Sequence, residues 1–122
     1  MKSRHLPPWL IFDVMPTANA TFLTADAEGI WREDSPGRRS GIAWDEIYRI
    51  SGYKIDCMTC VVLVVTLDWE YGEFFEVMDD WAGFNDVVCM ITSRVPGIDR
   101  SWFDRIRSLE PRHPTIEVWK RA

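Results

Sequence analysis

Alternating apolar and polar positions between Val61 and Met78 predict two β-strands joined by a tight turn. A three-residue loop, Glu70–Gly72, keeps the apolar positions of both strands on one face, whereas a two-residue loop would move one strand's apolar set to the opposite face. Gly72 also suits the last loop position, where this type of hairpin needs a positive φ. The predicted opposed pairs are Leu67 with Phe75, Val65 with Val77, Thr66 with Glu76, and Asp68 with Phe74.

An amphipathic helix is predicted after the hairpin. Asp79 and Asp80 precede it and are typical helix caps, because a carboxylate accepts hydrogen bonds from the free amides of the first turn. Pro96 and Gly97 end the helix, since proline lacks the backbone donor and glycine readily adopts the left-handed conformation. The apolar residues recur at helical spacing and form one stripe: Phe84, Val87, Val88, Ile91 and Val95.

Four further strands are predicted before the hairpin. Turn-forming residues at 26–29 and 34–37 separate the first three of them. Short strands at regular spacing, each followed by a turn, are typical of an antiparallel meander that curls into a barrel or sandwich. The predicted fold class is therefore α+β, with the long helix closing one side of the meander. The predicted strands are Thr21–Ala25, Ile30–Glu33, Arg38–Trp44 and Ile47–Asp56.

The two ends of the chain add smaller predicted elements. Pro7–Met15 is predicted to be an extended arm or edge strand. Asp99 or Ser101 caps a short helix, and Thr115–Trp119 alternates like a terminal edge strand. We interpret the chain as a single domain with three parts. These are an N-terminal arm at 1–20, a core at 21–97, and a C-terminal helix and edge strand at 98–122 that pack on the core.

The outward face of the hairpin is also largely apolar. In the predicted register Val64 lies opposite Met78, and Phe74 lies near the turn. An apolar sheet face is rarely left in water, so we expect either the C-terminal segment Trp102–Trp119 or a second copy of the chain, in a homodimer, to cover it. The C-terminal segment is favoured because its helix has a matching apolar stripe and otherwise nothing to pack on.

The run Gly41–Ile47, with Gly52-Tyr53-Lys54 downstream, resembles the bacterial pleckstrin-homology-like (PH-like) domains, in which a W-x-x-I junction between strands recurs. The similarity covers Thr21 to Val95, a meander of six strands followed by a helix. It implies a PH-like barrel that serves as a recognition scaffold rather than an enzyme. Lipid-binding members of that family hold phosphoinositide phosphates with basic residues around the first hairpin loop. In this chain that loop is 26–29 and is acidic.

The composition of the 122 residues, 47% hydrophobic and 27% charged, fits one globular domain with a sizeable core. A net charge of -5 disfavours binding to nucleic-acid backbones and to anionic membranes. The longest uncharged apolar run, Val61–Leu67, is far shorter than the roughly 20 residues of a membrane span. The run Trp9–Phe12 is too short for a signal peptide. We therefore expect a cytoplasmic protein without membrane insertion.

Residues with catalytic or metal-binding chemistry are few. Cys57 and Cys60 have the C-x-x-C spacing of half a zinc site or of a redox pair. Zinc needs a second ligand pair, and redox thiols gain a low pKa at a helix start, whereas these cysteines precede a strand. We interpret them as reduced, structurally dispensable thiols that bind no metal. His5 and His113 lie in terminal segments and no nucleophile-elbow pattern occurs, so we predict no enzyme activity, no catalytic residue and no cofactor.

Acidic residues are denser between positions 68 and 80 than elsewhere in the chain. Trp69 and Tyr71 lie among them near the hairpin tip, and aromatic residues of this kind anchor many protein interfaces. The sequence predicts a small protein-recognition module, an adaptor or an immunity-type inhibitor, with a basic protein as partner. The alternatives are a solvated hairpin rim without function and a lipid- or small-ligand-binding PH-like domain. The predicted binding residues are Asp68, Trp69, Glu70, Tyr71, Glu73 and Glu76.

Overall fold

The computed structural model describes residues 21–35 and 37–122, so the predicted arm at 1–20 lies outside the described residues. The helices are α1 (Phe84–Arg94) and α2 (Trp102–Arg107), and a 3-10 helix spans Trp44–Glu46. None of the helices in these ranges is long and apolar enough to cross a membrane. The strands are β1 (Phe22–Ala25), β2 (Gly29–Ser35), β3 (Arg38–Ala43), β4 (Arg49–Asp56), β5 (Val61–Asp68), β6 (Phe74–Met78) and β7 (Ile116–Lys120).

The described strands form two antiparallel sheets, in the orders β1-β2-β3 and β6-β5-β4-β7. The 3-10 helix lies between β3 of the first sheet and β4 of the second. At its start the Glu46 carboxylate accepts a hydrogen bond of 3.0 Å from the Ala43 amide. Ile47 follows the 3-10 helix, and its fully buried side chain packs in the core just before β4 begins. The predicted α+β class is confirmed. The sheets are not closed into a barrel, and the PH-like detail remains a prediction.

The β5–β6 hairpin has the predicted register, with all four opposed pairs as expected. The Trp69 amide donates a hydrogen bond of 2.9 Å to the Glu73 carbonyl, which closes the three-residue loop. Gly72 has a φ of 102°. No atom lies within 4 Å of the position that a Cβ would take there. The turn therefore requires glycine for its backbone conformation and not for lack of space.

One core cluster joins the two sheets and both helices. It takes side chains from one face of β5 and β6 and from the inner faces of α1 and α2. Trp102 is fully buried, and its indole N–H donates to the Thr92 hydroxyl at 2.9 Å, so the ring is buried without an unpaired donor. The cluster includes Leu23, Ile30, Ile42, Ile47, Ile50, Leu63, Val65, Leu67, Phe75, Val77, Phe84, Val87, Ile91, Trp102 and Ile106.

Asp79 and Asp80 do not cap α1, so this prediction is wrong. The N-cap is Gly83, with a φ of 88° and no side-chain cap. The chain before it is drawn towards β1, because the Leu23 amide donates to the Ala82 carbonyl at 2.8 Å. The Asp79 carboxylate instead accepts a hydrogen bond of 3.1 Å from an amide of β5 and extends the hairpin ladder.

α2 packs on the core face of the four-stranded sheet. A Cβ at Gly52 would lie 2.3 Å from Ile106 Cδ1, and Gly52 is opposite Val65 on the core face. The expectation that the helix of Trp102–Trp119 covers the outward face is therefore wrong. The missing side chain of Gly52 leaves a notch, and this notch accepts Ile106 from the core side.

Candidate functional site

The face of the four-stranded sheet that points away from the core forms a shallow depression of about 510 Å³, here named the open face. Its side chains alternate along the strands with those of the core, because successive residues of a strand point to opposite sides. The open face lies beside the β5–β6 loop and reaches across β4 to the chain just before β7. It is lined by Arg49, Ser51, Tyr53, Thr66, Asp68, Gly72, Phe74, Glu76, Thr115 and Glu117.

Arg49 and Asp68 form an ion pair on the open face. They are directly opposed in the β4–β5 ladder, and both Nε and Nη2 of Arg49 lie 2.8 Å from Oδ2 of Asp68. The hydrogen bond to Asp68 raises the pKa of the Arg49 guanidinium above its ordinary value. Among the described residues, Arg49 is the one basic residue that lines the open face, so this pair neutralises the positive charge that they bring there.

Tyr53 and Glu76 form a second polar pair on the same face. The Tyr53 hydroxyl donates a hydrogen bond of 2.7 Å to Oε2 of Glu76. The pKa of Tyr53 is raised to about 12. Partial burial contributes most to this rise, and the hydrogen bond to the Glu76 carboxylate contributes next. The hydroxyl therefore stays protonated at neutral pH and holds the carboxylate in place as a donor.

An exposed ring and two carboxylates complete the open face. Phe74 is 61% exposed although it belongs to β6. The carboxylates of Glu76 and Glu117 have no ion-pair partner among the described residues. The Arg49–Asp68 pair is neutral as a whole, so the side chains of the open face carry a net charge of about -2 around an apolar ring.

The six predicted binding residues are divided between two places. Asp68 and Glu76 lie on the open face. Trp69 packs partly buried against the core cluster, and its ring supports that of Tyr71, with 6.3 Å between the ring centroids. Tyr71 itself is 72% exposed. The exposed side chains of the hairpin tip are those of Glu70, Tyr71 and Glu73.

The predicted binding residues do not include Phe74, although the ring belongs to the hairpin. They also do not include the three ionisable side chains of the open face that lie outside the hairpin: Arg49, Tyr53 and Glu117. These three come from β4 and β7, whose positions beside the hairpin depend on strand pairing. The sequence did contain a signal for Arg49 and Tyr53. Cys57 and Cys60 flank a two-residue turn, and that turn length determines which residues of β4 lie opposite β5.

Cys57 and Cys60 close this turn as a backbone pair. The Cys57 amide donates a hydrogen bond of 2.9 Å to the Cys60 carbonyl, and both side chains are exposed free thiols. Partial desolvation, with a further contribution from Cys60, raises the pKa of the Cys57 thiol, which disfavours the thiolate that redox exchange or metal binding needs. Within residues 21–35 and 37–122, no group of three or more His, Cys, Asp or Glu residues is placed to hold a metal ion.

The open face thus combines an exposed phenylalanine ring, a neutral ion pair and two carboxylates held on a rigid sheet. Comparisons with protein-family models, with curated proteins and with solved structures find no match for this chain.

Proposed function

We propose that the protein is a cytoplasmic, non-enzymatic recognition module that binds a basic protein through the open face and the hairpin tip. The observation that carries the proposal is Phe74, a ring that is 61% exposed beside carboxylates without a basic partner. A ring in this setting can anchor an interface by filling an apolar pocket of the partner. The surrounding carboxylates attract Lys and Arg side chains and steer the partner towards the ring.

The hairpin tip extends this surface. Tyr71 stacks on Trp69, and Trp69 is itself anchored against the core. Tyr71 therefore has less side-chain freedom to lose when a partner binds, which favours affinity. Glu70 and Glu73 are exposed beside it and add negative charge. A small acidic surface with aromatic anchors suits an adaptor or an immunity-type inhibitor of a basic protein.

Exposed thiols support the cytoplasmic setting. Cys57, Cys60 and Cys89 are all exposed and free. Thiols of this kind persist in a reducing compartment, whereas an oxidising compartment favours disulfides.

The alternative of a lipid- or small-ligand-binding PH-like domain has less support. The described sheets are not closed into a barrel. In the first hairpin loop the amide donors are already taken, because Oδ1 of Asp26 accepts hydrogen bonds from the amides of Glu28 and Gly29 at 2.9 and 3.1 Å. A phosphate at this loop would meet a carboxylate in place of free donors.

Affinity capture with matched baits tests the role of the ring. The baits are the wild-type protein, Phe74→Ser, and the control Phe22→Ser, which removes an exposed ring from β1 in the other sheet. We expect basic proteins to be captured by the wild type and by the control but not by Phe74→Ser. Equal capture of the same proteins by all three baits would contradict the proposal.

Charge reversal tests the carboxylates separately. Glu117→Lys places a cation on the open face, and Glu110→Lys places the same charge on an exposed residue outside it. We expect capture to weaken for Glu117→Lys alone, and capture by the wild type to weaken as salt is raised, because exposed charges are screened over about 10 Å at 0.1 M ionic strength. Capture that is independent of both salt and Glu117 would leave the acidic surface without a role.

A further inference from the structure

A second concave surface lies where the 3-10 helix, the end of α1 and the end of β7 meet. This tryptophan cleft has a volume of about 760 Å³ and shares no residue with the open face. Its apolar walls are Trp44, Val95, Pro96 and Trp119, and its basic residues are Arg94, Lys120 and Arg121. The volume is within the range of small-molecule sites, which is roughly 300–1,000 Å³.

The two tryptophans are held in fixed orientations by the backbone. Trp44 Nε1 donates a hydrogen bond of 2.7 Å to the Asp26 carbonyl. Trp119 Nε1 donates one of 2.9 Å to the Pro96 carbonyl. Because both N–H groups are satisfied, the rings offer the cleft apolar surface and not free donors. They are also ordered before a ligand arrives, which lowers the entropy cost of binding.

The basic residues of the cleft are positioned by neutral groups. Arg94 Nη1 donates to the Ala27 carbonyl at 3.4 Å, and the Arg121 guanidinium donates to the Asp45 carbonyl. The Lys120 ammonium lies 5.5 Å from the centroid of the Tyr48 ring. In the described part of the chain no carboxylate lies within ion-pair distance of these three side chains. Their positive charge is therefore held in place but not neutralised.

The charge balance of the cleft is opposite to that of the whole protein. Its lining side chains carry three positive charges and one negative charge, that of Asp45, which gives +2 against -5 for the chain. A terminal carboxylate at Ala122 would reduce this to +1. The partial negative charge at the end of α1, about half a charge, lowers this balance without reversing it. The cleft is thus a positive region on an acidic protein and attracts an anion.

We propose that the tryptophan cleft binds a small organic anion with a flat apolar body. The body packs against the indoles of Trp44 and Trp119. The acid group, a carboxylate, sulfonate or phosphate, is held by the basic side chains, since guanidinium groups form paired, charge-assisted hydrogen bonds to such groups. This site is independent of the proposed protein-binding surface.

Fluorescence titration with 8-anilinonaphthalene-1-sulfonate tests the proposal, because this probe joins a flat aromatic body to one sulfonate. N-phenyl-1-naphthylamine has the same body without the charge and is the matched control ligand. We expect the sulfonate to bind saturably at one site. The neutral compound should have an affinity lower by about tenfold or more, because the loss of one charged hydrogen bond lowers the affinity by about that factor. Equal affinities for the two compounds, or no saturable binding, would overturn the proposal.

Arginine variants and the indole signals locate the site. The double variant Arg94→Gln with Arg121→Gln is expected to weaken sulfonate binding by about tenfold or more. The control Arg100→Gln with Arg105→Gln removes two exposed arginines outside the cleft and is expected to change nothing. On addition of the probe to the wild type, the NMR indole N–H signals of Trp44 and Trp119 should shift. Unchanged indole signals, or equal affinity in both double variants, would show that the anion binds elsewhere and would refute the proposed site.

Discussion

The Tyr53 hydroxyl on β4 donates a hydrogen bond of 2.7 Å to the Glu76 carboxylate on β6 across the full width of β5. Thr66 of β5 lies directly opposite Glu76 in the ladder, so the bond passes over the central strand on the open face. It links the two outer strands of the β4–β5–β6 unit without any backbone contact between them. It also orients a carboxylate of the proposed binding surface, since a hydrogen bond to an ionised group is stronger than a neutral one.

This pair predicts a loss of stability at alkaline pH. The pKa of Tyr53 is raised from 10.0 to about 12 in the fold, so its stabilising effect is complete below pH 10 and is lost as the pH rises towards 12. We expect the urea midpoint of the wild type to fall over this window more steeply than that of Tyr53→Phe. Absorbance at 295 nm should show a tyrosinate component near pH 12 that the variant lacks. A titration that is unchanged by Tyr53→Phe would contradict the assignment.

The β5–β6 loop predicts a conformational cost at Gly72. Its φ is 102° and space is open around it, so Gly72→Ala should destabilise the protein by about 1 kcal/mol through backbone strain alone. Gly72→Asn is the control and should cost less, because asparagine tolerates positive φ better than alanine. Chemical denaturation measures both. Equal stability of the alanine variant and the wild type would mean that the loop does not need this conformation.

The notch at Gly52 predicts a steric cost with a defined partner. A Cβ there would lie 2.3 Å from Cδ1 of Ile106, so we expect Gly52→Ala to destabilise the protein by about 1–3 kcal/mol through overpacking. Ile106→Val removes Cδ1, the nearest of three Ile106 atoms that would lie within 3 Å of this Cβ, and costs about 1 kcal/mol by itself. In a double-mutant cycle, Ile106→Val should therefore lower the free energy of unfolding less in the Gly52→Ala variant than in the wild type. Strictly additive effects would argue against contact between α2 and this notch.

The β1–β2 turn predicts a loss of stability at acid pH. Trp31 Nε1 donates a hydrogen bond of 3.0 Å to Oδ1 of Asp26, and this bond, together with those from nearby amides, lowers the pKa of Asp26 below 3.8. The resulting stabilisation is present above pH 3.8 and is lost as the pH falls through the pKa of the folded state. Asp26→Asn keeps an acceptor oxygen but removes the charge. The urea midpoint of Asp26→Asn should lie below that of the wild type by a constant amount near neutral pH, and this difference should shrink below about pH 4. A difference that persists at pH 2 would show that it does not come from the charge of the Asp26 carboxylate.

The register of the β5–β6 hairpin was predictable from the sequence, because it depends on local rules. Side chains alternate with a period of two along a strand, so one loop length alone places Leu67 opposite Phe75. The positive φ of Gly72 follows from the same loop length. The apolar stripe of α1 was predictable for the same reason, since residues three and four positions apart share one helix face.

The start of α1 and the packing of α2 were not predictable in this way. Asp79 has the chemistry of a helix cap, but a hydrogen bond to β5 competes for its carboxylate. Ile106 has the spacing to cover either face of the sheet, and in the structure it packs at the notch of Gly52 on the core face. Both outcomes depend on the shapes of elements that are distant in the chain.

The sequence by itself determined the α+β class, the hairpin and the acidic, aromatic character of its tip, because alternation, turn chemistry and charge are properties of neighbouring residues. Only the tertiary structure decided which side chains share a surface. It brought Arg49 and Tyr53 of β4 beside Phe74, and it placed Trp44 and Trp119 in one cleft. Residues so far apart in the chain meet only when strand pairing and core packing have set the positions of their elements. No pattern among neighbouring residues encodes those positions.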